Sequence, residues 1–354
     1  MKYFVFIVFG FVLFIAEITS ILAGTPYPTS NFIIGVTWDR STMETQAPGS
    51  DNWPITWADD NNQYTCWGDG GGFGGTNSLG RISLGFARVE GDWNNYKGKN
   101  VWGGYNTENP AKFGGKSYGI ISINGTLYAW LGQDGKNSGS EEFVKQTMVI
   151  KSTDYGASWE KSNWYWTNND NLYGPSFLNF GKDNAGARDN YVYSYFPCGT
   201  YWGLHKPGRA DLARVPRDKL MEQTAYEWFA GIDSSGNPTW TKNLAARQQV
   251  FEDKNGVRTV SVTYNPGLKR YLLTSQHTIV GTESGTNQWG IFEAKEPWGP
   301  WKTVNYTANW AGGKGNISFY FAPKWFSADG KDFTLVFTKD DHWCIVRGRF
   351  SVIN

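Results

Sequence analysis

From Phe32 onward, no long segment repeats its apolar residues at the three-to-four spacing of a helix. What recurs is a short run of aromatic and β-branched residues followed by a Gly, Asn or Asp turn. That pattern restricts the chain to an all-β fold. The 19 Trp, 19 Tyr and 22 Phe, set among 43 Gly, suit strands joined by tight turns and leave aromatic faces over for flat ligands. At 354 residues, a repetitive β architecture fits within one large domain. Lys and Arg number 33 against 32 Asp and Glu, so no net charge draws the chain to nucleic acid, an anionic membrane or a polycation.

The first residues are a separate object. Lys2 supplies a positive start, Tyr3 to Ala16 is an apolar run, and small residues stand at Ala23 and Gly24. Residues 1–24 therefore read as a secretory signal peptide, and residues 25–354 as one domain exported to the extracellular space. A membrane anchor is the alternative, but the run is marginal for a span and Glu17 interrupts it. Cys66, Cys198 and Cys344 are odd in number and lack metal-site spacing, so at most one disulfide can form. Asn124, Asn305 and Asn316 each begin a glycosylation sequon.

Ser152-Thr153-Asp154-Tyr155-Gly156-Ala157-Ser158-Trp159 resembles the Asp-box turn of sialidases and other β-propellers. Placing that turn between the third and fourth strands of a blade phases the remaining sequence into a single five-bladed β-propeller. Blade one uses Ile55 to Ala58, Tyr64 to Trp67 and Ile82 to Arg88. Blade two uses Gly119 to Ile123, Leu127 to Leu131, Thr147 to Lys151 and the run near Trp159. Blade three takes Phe177 to Phe180, Tyr191 to Phe196 and Asp211 to Val215, with a short polar helix near Asp218 to Gln223. Blade four takes Thr259 to Tyr264, Arg270 to Thr274 and Gly290 to Ala294. Blade five takes Phe319 to Trp325, Thr334 to Thr338 and Cys344 to Phe350, and Phe32 to Trp38 adds a strand that closes the ring.

The phasing puts the longer loops on one face, which is then the working face. Asp51 and Asp69 meet there. They flank a strand-turn-strand hairpin whose open end brings them together, and two neighbouring carboxylates suit acid/base work on a sugar. The alternative is that both merely cap turns. Trp53, Trp67 and Trp202 are the aromatic faces expected to stack on substrate, Lys116 and Arg258 to bind its hydroxyls, His277 to bind it or assist proton transfer, and Glu283 to bind it or supply a third carboxylate. Glu141 and Glu142 are further loop carboxylates, whereas Asp59 and Asp60 belong to the hairpin turn on the opposite face. No cofactor is expected. A structural Ca²⁺ among the carboxylates is compatible with the sequence and required by nothing in it.

Several stretches resemble a family of secreted bacterial and fungal propellers of unknown function, some of which are endo-D-arabinanases. They include Trp57-Ala-Asp-Asp60, Tyr64-Thr-Cys-Trp-Gly-Asp-Gly70, Gly85-Phe-Ala-Arg88, Leu212-Ala-Arg-Val-Pro-Arg-Asp-Lys-Leu220, Tyr264-Asn-Pro-Gly-Leu-Lys-Arg-Tyr-Leu-Leu-Thr274, Glu296-Pro-Trp-Gly-Pro-Trp301 and Pro323-Lys-Trp-Phe-Ser-Ala-Asp-Gly330. The resemblance implies an endo-acting glycoside hydrolase on a polysaccharide, best matched to arabinan-type furanosides, with Asp51 and Asp69 as its catalytic pair. A glycan-binding propeller without catalysis and a polysaccharide lyase are the alternatives. No nucleic acid or membrane partner is expected once the signal peptide is gone.

Overall fold

The computed structural model describes residues 24–105, 108–134, 145–199, 204–278, 287–310 and 315–353. The signal-peptide reading of residues 1–24 thus falls, but for Gly24, outside the described residues. The fold is all-β. Helix is confined, among the described residues, to single 3-10 turns such as Gln223–Ala225 and Pro323–Trp325. The polar helix expected near Asp218 to Gln223 does not form. Its carbonyls are taken by aromatic donors instead, Trp164 Nε1 on Met221 O at 2.7 Å and the Tyr226 hydroxyl on Leu220 O at 2.9 Å.

Strand pairing among the described residues sorts the chain into five antiparallel meanders within four sheets. The first runs Ile55–Trp57, Gln63–Gly68, Leu84–Glu90 and Lys97–Trp102. In the second, Ile120–Ile123, Thr126–Gln133 and Gln146–Ser152 are edged by the two-residue strands Glu160–Lys161 and Trp166–Thr167. The third has Ser176–Asn179, Tyr191–Pro197 and Gly208–Pro216, whose outer edge is shared by Glu227–Ile232 and Gln249–Asp253; Pro238–Thr241 pairs with the former. The fourth has Val260–Asn265, Arg270–Gln276, Trp289–Ala294 and Lys302–Thr307. The fifth has Ile317–Phe321, Asp332–Thr338 and Trp343–Val352, and its outermost strand is Ile33–Gln46 from the other end of the chain.

The first strands of all five meanders line one small cavity, to which they contribute Ile55, Ile120, Phe177, Thr263 and Phe321. Those of the third and fourth touch through a two-residue parallel contact, Leu178 to Val262 and Asn179 to Thr263, which merges the two into one sheet. Aromatic side chains fill the wedges between neighbouring meanders. Trp53 packs edge-on against Trp343 of the fifth meander at 5.3 Å, and Trp130 stacks on Phe177 of the third at 5.3 Å. Aromatic pairs in these geometries add roughly 0.5–1.5 kcal/mol each beyond the area they bury.

Two features orient the meanders. The Ser152 hydroxyl accepts the Gly156 N–H at 2.7 Å, and Asp154 Oδ1 accepts the Ser158 N–H at 2.8 Å, closing a turn whose Trp159 stacks on Phe86 of the first meander at 4.1 Å. The tight hairpin turns of Asn61 and Asn124, both at positive φ, gather with Asp183 at the opposite end from Asp51 and Asp69. Asp59 and Asp60 lie with them: the Tyr155 hydroxyl reaches Asp59 and the Tyr64 hydroxyl reaches Asp60.

Candidate functional site

Asp51 enters the first meander through a bridge to Gly68, the last residue of the second strand. The Asp51 N–H donates to Gly68 O at 2.9 Å and the Gly68 N–H to Asp51 O at 2.8 Å. The chain then turns sharply, with Asp69 at φ 56° and Gly70 at φ 63°. This backbone aims the Asp69 carboxylate back toward the mouth of the hairpin, where about a third of it remains exposed. The two aspartates are therefore brought to one end of one hairpin by backbone geometry alone.

Lys116 repeats the placement of Asp51 on the next meander. It bridges Gly132, again the end of a second strand, with backbone hydrogen bonds of 2.9 and 2.8 Å. Its side chain crosses to the first meander, where Nζ lies 2.8 Å from Asp69 Oδ1; on the other side, Arg81 Nη2 stands 3.3 Å from Asp69 Oδ2. Both oxygens of Asp69 thus face a cation. Beneath them, Asn52 is buried at φ 56°; its amide donates to Ser117 O at 2.5 Å and its Oδ1 accepts the Tyr320 hydroxyl at 2.8 Å. These bonds pin the residue next to Asp51 to the second and fifth meanders. The Tyr173 hydroxyl meets that of Tyr118 at 3.0 Å beside Lys116.

The other expected residues divide. Trp53 and Trp67 are fully buried, packed on one another at 5.7 Å and on Phe73, so neither offers a face to a ligand. Strand burial on both sides explains this: every residue of Gln63–Gly68 is buried. Lys116 is also buried, its side chain 3% exposed, and engages Asp69 rather than open solvent. Arg258 is buried at the entry to the fourth meander, its N–H on Gln276 O at 3.2 Å. His277 is buried with its ring stacked on Tyr306 at 3.7 Å, and burial pulls the imidazole down to about 3, so it is neutral in ordinary conditions. Trp202, Glu283, Glu141 and Glu142 lie outside the described residues. Cys66, Cys198 and Cys344 are buried and free. Among the described residues, no group of three or more His, Cys, Asp and Glu is placed to hold a metal ion.

Sequence reasoning missed Arg81 and Asn52. Arg81 follows a glycine in a loop, and only the fold turns it onto Asp69. For Asn52 the signal was present: a polar residue between Asp51 and Trp53 at the entry to a buried strand needs its own hydrogen bonds.

Residues 118–343 match the family model described as a domain of unknown function (DUF4185). The chain belongs to the DUF4185 family. No curated protein sequence matches it. Among solved structures, this DUF4185 protein is similar to CoXyl43, a GH43 beta-xylosidase/alpha-arabinofuranosidase from a compost microbial metagenome, with a TM-score of 0.51 and 12% identity over 90% of this chain and 96% of that one. It is also similar to a putative hydrolase from Bacteroides ovatus, with a TM-score of 0.50 and 13% identity over 86% and 87% of the two chains. At such identities the likeness concerns the fold, which is β-propeller-like.

Proposed function

We propose that this DUF4185 protein is a secreted glycoside hydrolase, one five-bladed propeller whose blades are the five meanders, cleaving a polysaccharide from within. Arabinan-type furanosides are the best-matched substrate by resemblance to the endo-D-arabinanases of such propellers. The observation that carries the reading is the Asp51/Asp69 pair, held at one end of the first hairpin by the Asp51–Gly68 bridge. Glycoside hydrolysis needs one carboxyl group to protonate the leaving oxygen and another to act as base or nucleophile. Asp69, ion-paired on both oxygens, takes the charged role. Asp51, its neighbour across the bridge to Gly68, supplies the second carboxyl group. CoXyl43, a glycosidase by name, shares the fold and supports the class.

Burial of Trp53 and Trp67 removes two of the stacking faces that a purely glycan-binding propeller would use. The test is to incubate wild type, Asp51→Asn and Asp69→Asn with a panel of polysaccharides that includes arabinans. Expected are shortened oligosaccharides from the wild type and a fall in kcat of about 10³-fold or more in each variant. Binding without cleavage by the wild type would sink the enzyme reading.

A further inference from the structure

Two charged groups of the candidate site, Asp51 and Lys116, converge over one bare glycine. Gly68 pairs its backbone with Asp51 and immediately precedes Asp69. A Cβ placed on Gly68 would lie 2.8 Å from Asp51 Oδ1, 3.1 Å from Lys116 Nζ and 3.2 Å from Lys116 Cδ. The Asp51 carboxylate and the Lys116 ammonium therefore occupy the space that any other residue at position 68 would fill. From there Nζ also reaches Asp69 Oδ1 at 2.8 Å.

A lysine ammonium is among the costliest groups to remove from water, and here it is 3% exposed. Asp69 Oδ1 compensates it at 2.8 Å, and the Asp51 carboxylate lies beside the same Gly68. A cation in that place does two things at once. It screens the repulsion that would drive two neighbouring carboxylates apart, and it fixes Asp69 from the second meander rather than from its own Gly-rich loop. Arg81 cannot substitute for it, being 46% exposed and on the outer oxygen of Asp69.

We propose that Lys116 is a positioning residue that holds Asp51 and Asp69 in register, and that Gly68 is the spacer that admits it. This rests on the reading of the two aspartates as the catalytic pair. Lys116 acts on the substrate only through them, in contrast to the hydroxyl-binding role its sequence position suggests.

Two measurements on the full chain decide it. In the first, wild type, Lys116→Met and Gly68→Ala are compared on whichever polysaccharide the wild type cleaves. Gly68 does not need a left-handed backbone, so its alanine variant adds one methyl to the gap and leaves the turn intact. Expected is a fall in kcat of about 100-fold in both variants with KM nearly unchanged, and a displaced acid limb of the pH profile in Lys116→Met. A raised KM with unchanged kcat would make Lys116 a substrate-binding residue and overturn the proposal. In the second, which needs no activity, lysines are reductively methylated with formaldehyde and borohydride and the Lys116 peptide is read by mass spectrometry. Labelling should be low in the wild type and severalfold higher in both Asp51→Asn and Asp69→Asn. Equal labelling in all three proteins would show that Lys116 is held by neither carboxylate. If the wild type cleaves nothing, the glycosidase reading fails while the labelling still decides the coupling.

Discussion

At the scale of single residues, the closeness of Asp51 to Asp69 was legible because an antiparallel hairpin dictates which of its residues meet. Trp53 and Trp67 were misjudged for a related reason: a run rich in aromatics does not say which sides of the strand are covered, and here both are. The partners on Asp69 were invisible, since Lys116 arrives from another meander. A second buried set makes a residue-scale prediction. Tyr306 has His277 stacked on its ring and donates its hydroxyl to Asp253 Oδ2 at 2.8 Å. Burial pulls His277 down to about 3 and pushes Asp253 up to about 6. Neutral His277 contributes stability above its unfolded value near 6.5 and loses it as pH falls toward 3. Asp253 works the other way, favouring the fold as pH falls from 6 toward its unfolded value near 3.8. Between roughly pH 6 and 4 the two offset each other. Asp253→Asn should remove the balance, so that stability falls by roughly 2–3 kcal/mol across that window where the wild type changes far less. Urea unfolding at stepped pH measures it, and parallel slopes for the two proteins would refute the pairing.

At the scale of elements, the inner three strands of each meander were legible and the outer ones mostly were not. The reason is burial: Ile120–Ile123 is buried throughout, whereas in Lys97–Trp102 only Asn100 and Trp102 are buried and the apolar signal is slight. The strand Lys302–Thr307 was missed in the same way. Element geometry also ranks the glycosylation sequons. Asn124 is exposed in the two-residue turn that joins Ile123 to Thr126, at the end away from Asp51. Asn316 is fully buried, its amide donating to Asn287 Oδ1 at 2.5 Å and to Trp310 O at 3.1 Å. A glycan on Asn316 would require those bonds and the surrounding core to be given up. Secretion from a eukaryotic cell should yield protein modified at Asn124 and bare at Asn316, as read by glycopeptide mass spectrometry; folded protein carrying sugar on Asn316 would contradict the structure.

At the scale of the molecule, the early residues lash several meanders together. Tyr27 packs on Phe251 of the third meander at 5.4 Å and on Phe292 of the fourth at 5.8 Å, and its hydroxyl accepts the Glu252 N–H at 2.8 Å. Thr303 Oγ1 donates to Tyr27 O at 2.8 Å, and the buried Ser30 hydroxyl donates to Glu293 at the same distance. The chain then enters the fifth meander as its outermost strand. Tyr27→Ala should therefore cost about 2–3 kcal/mol in denaturant unfolding, although the residue is remote from Asp51 and Asp69. An unchanged midpoint would mean that these contacts contribute nothing to holding the meanders together.

The closing strand has a further consequence, in the order of events during synthesis. Thr37 and Arg349 are bonded across the last meander yet stand 312 residues apart in the chain. Ile33–Gln46 is made well before its partner Trp343–Val352. The earlier strand must wait unpaired until the later one has been made, because its partner does not yet exist and closing so long a loop is slow. Its charged and polar middle, Asp39-Arg40-Ser41-Thr42, suits that wait, since a strand so built resists pairing with a neighbouring nascent chain.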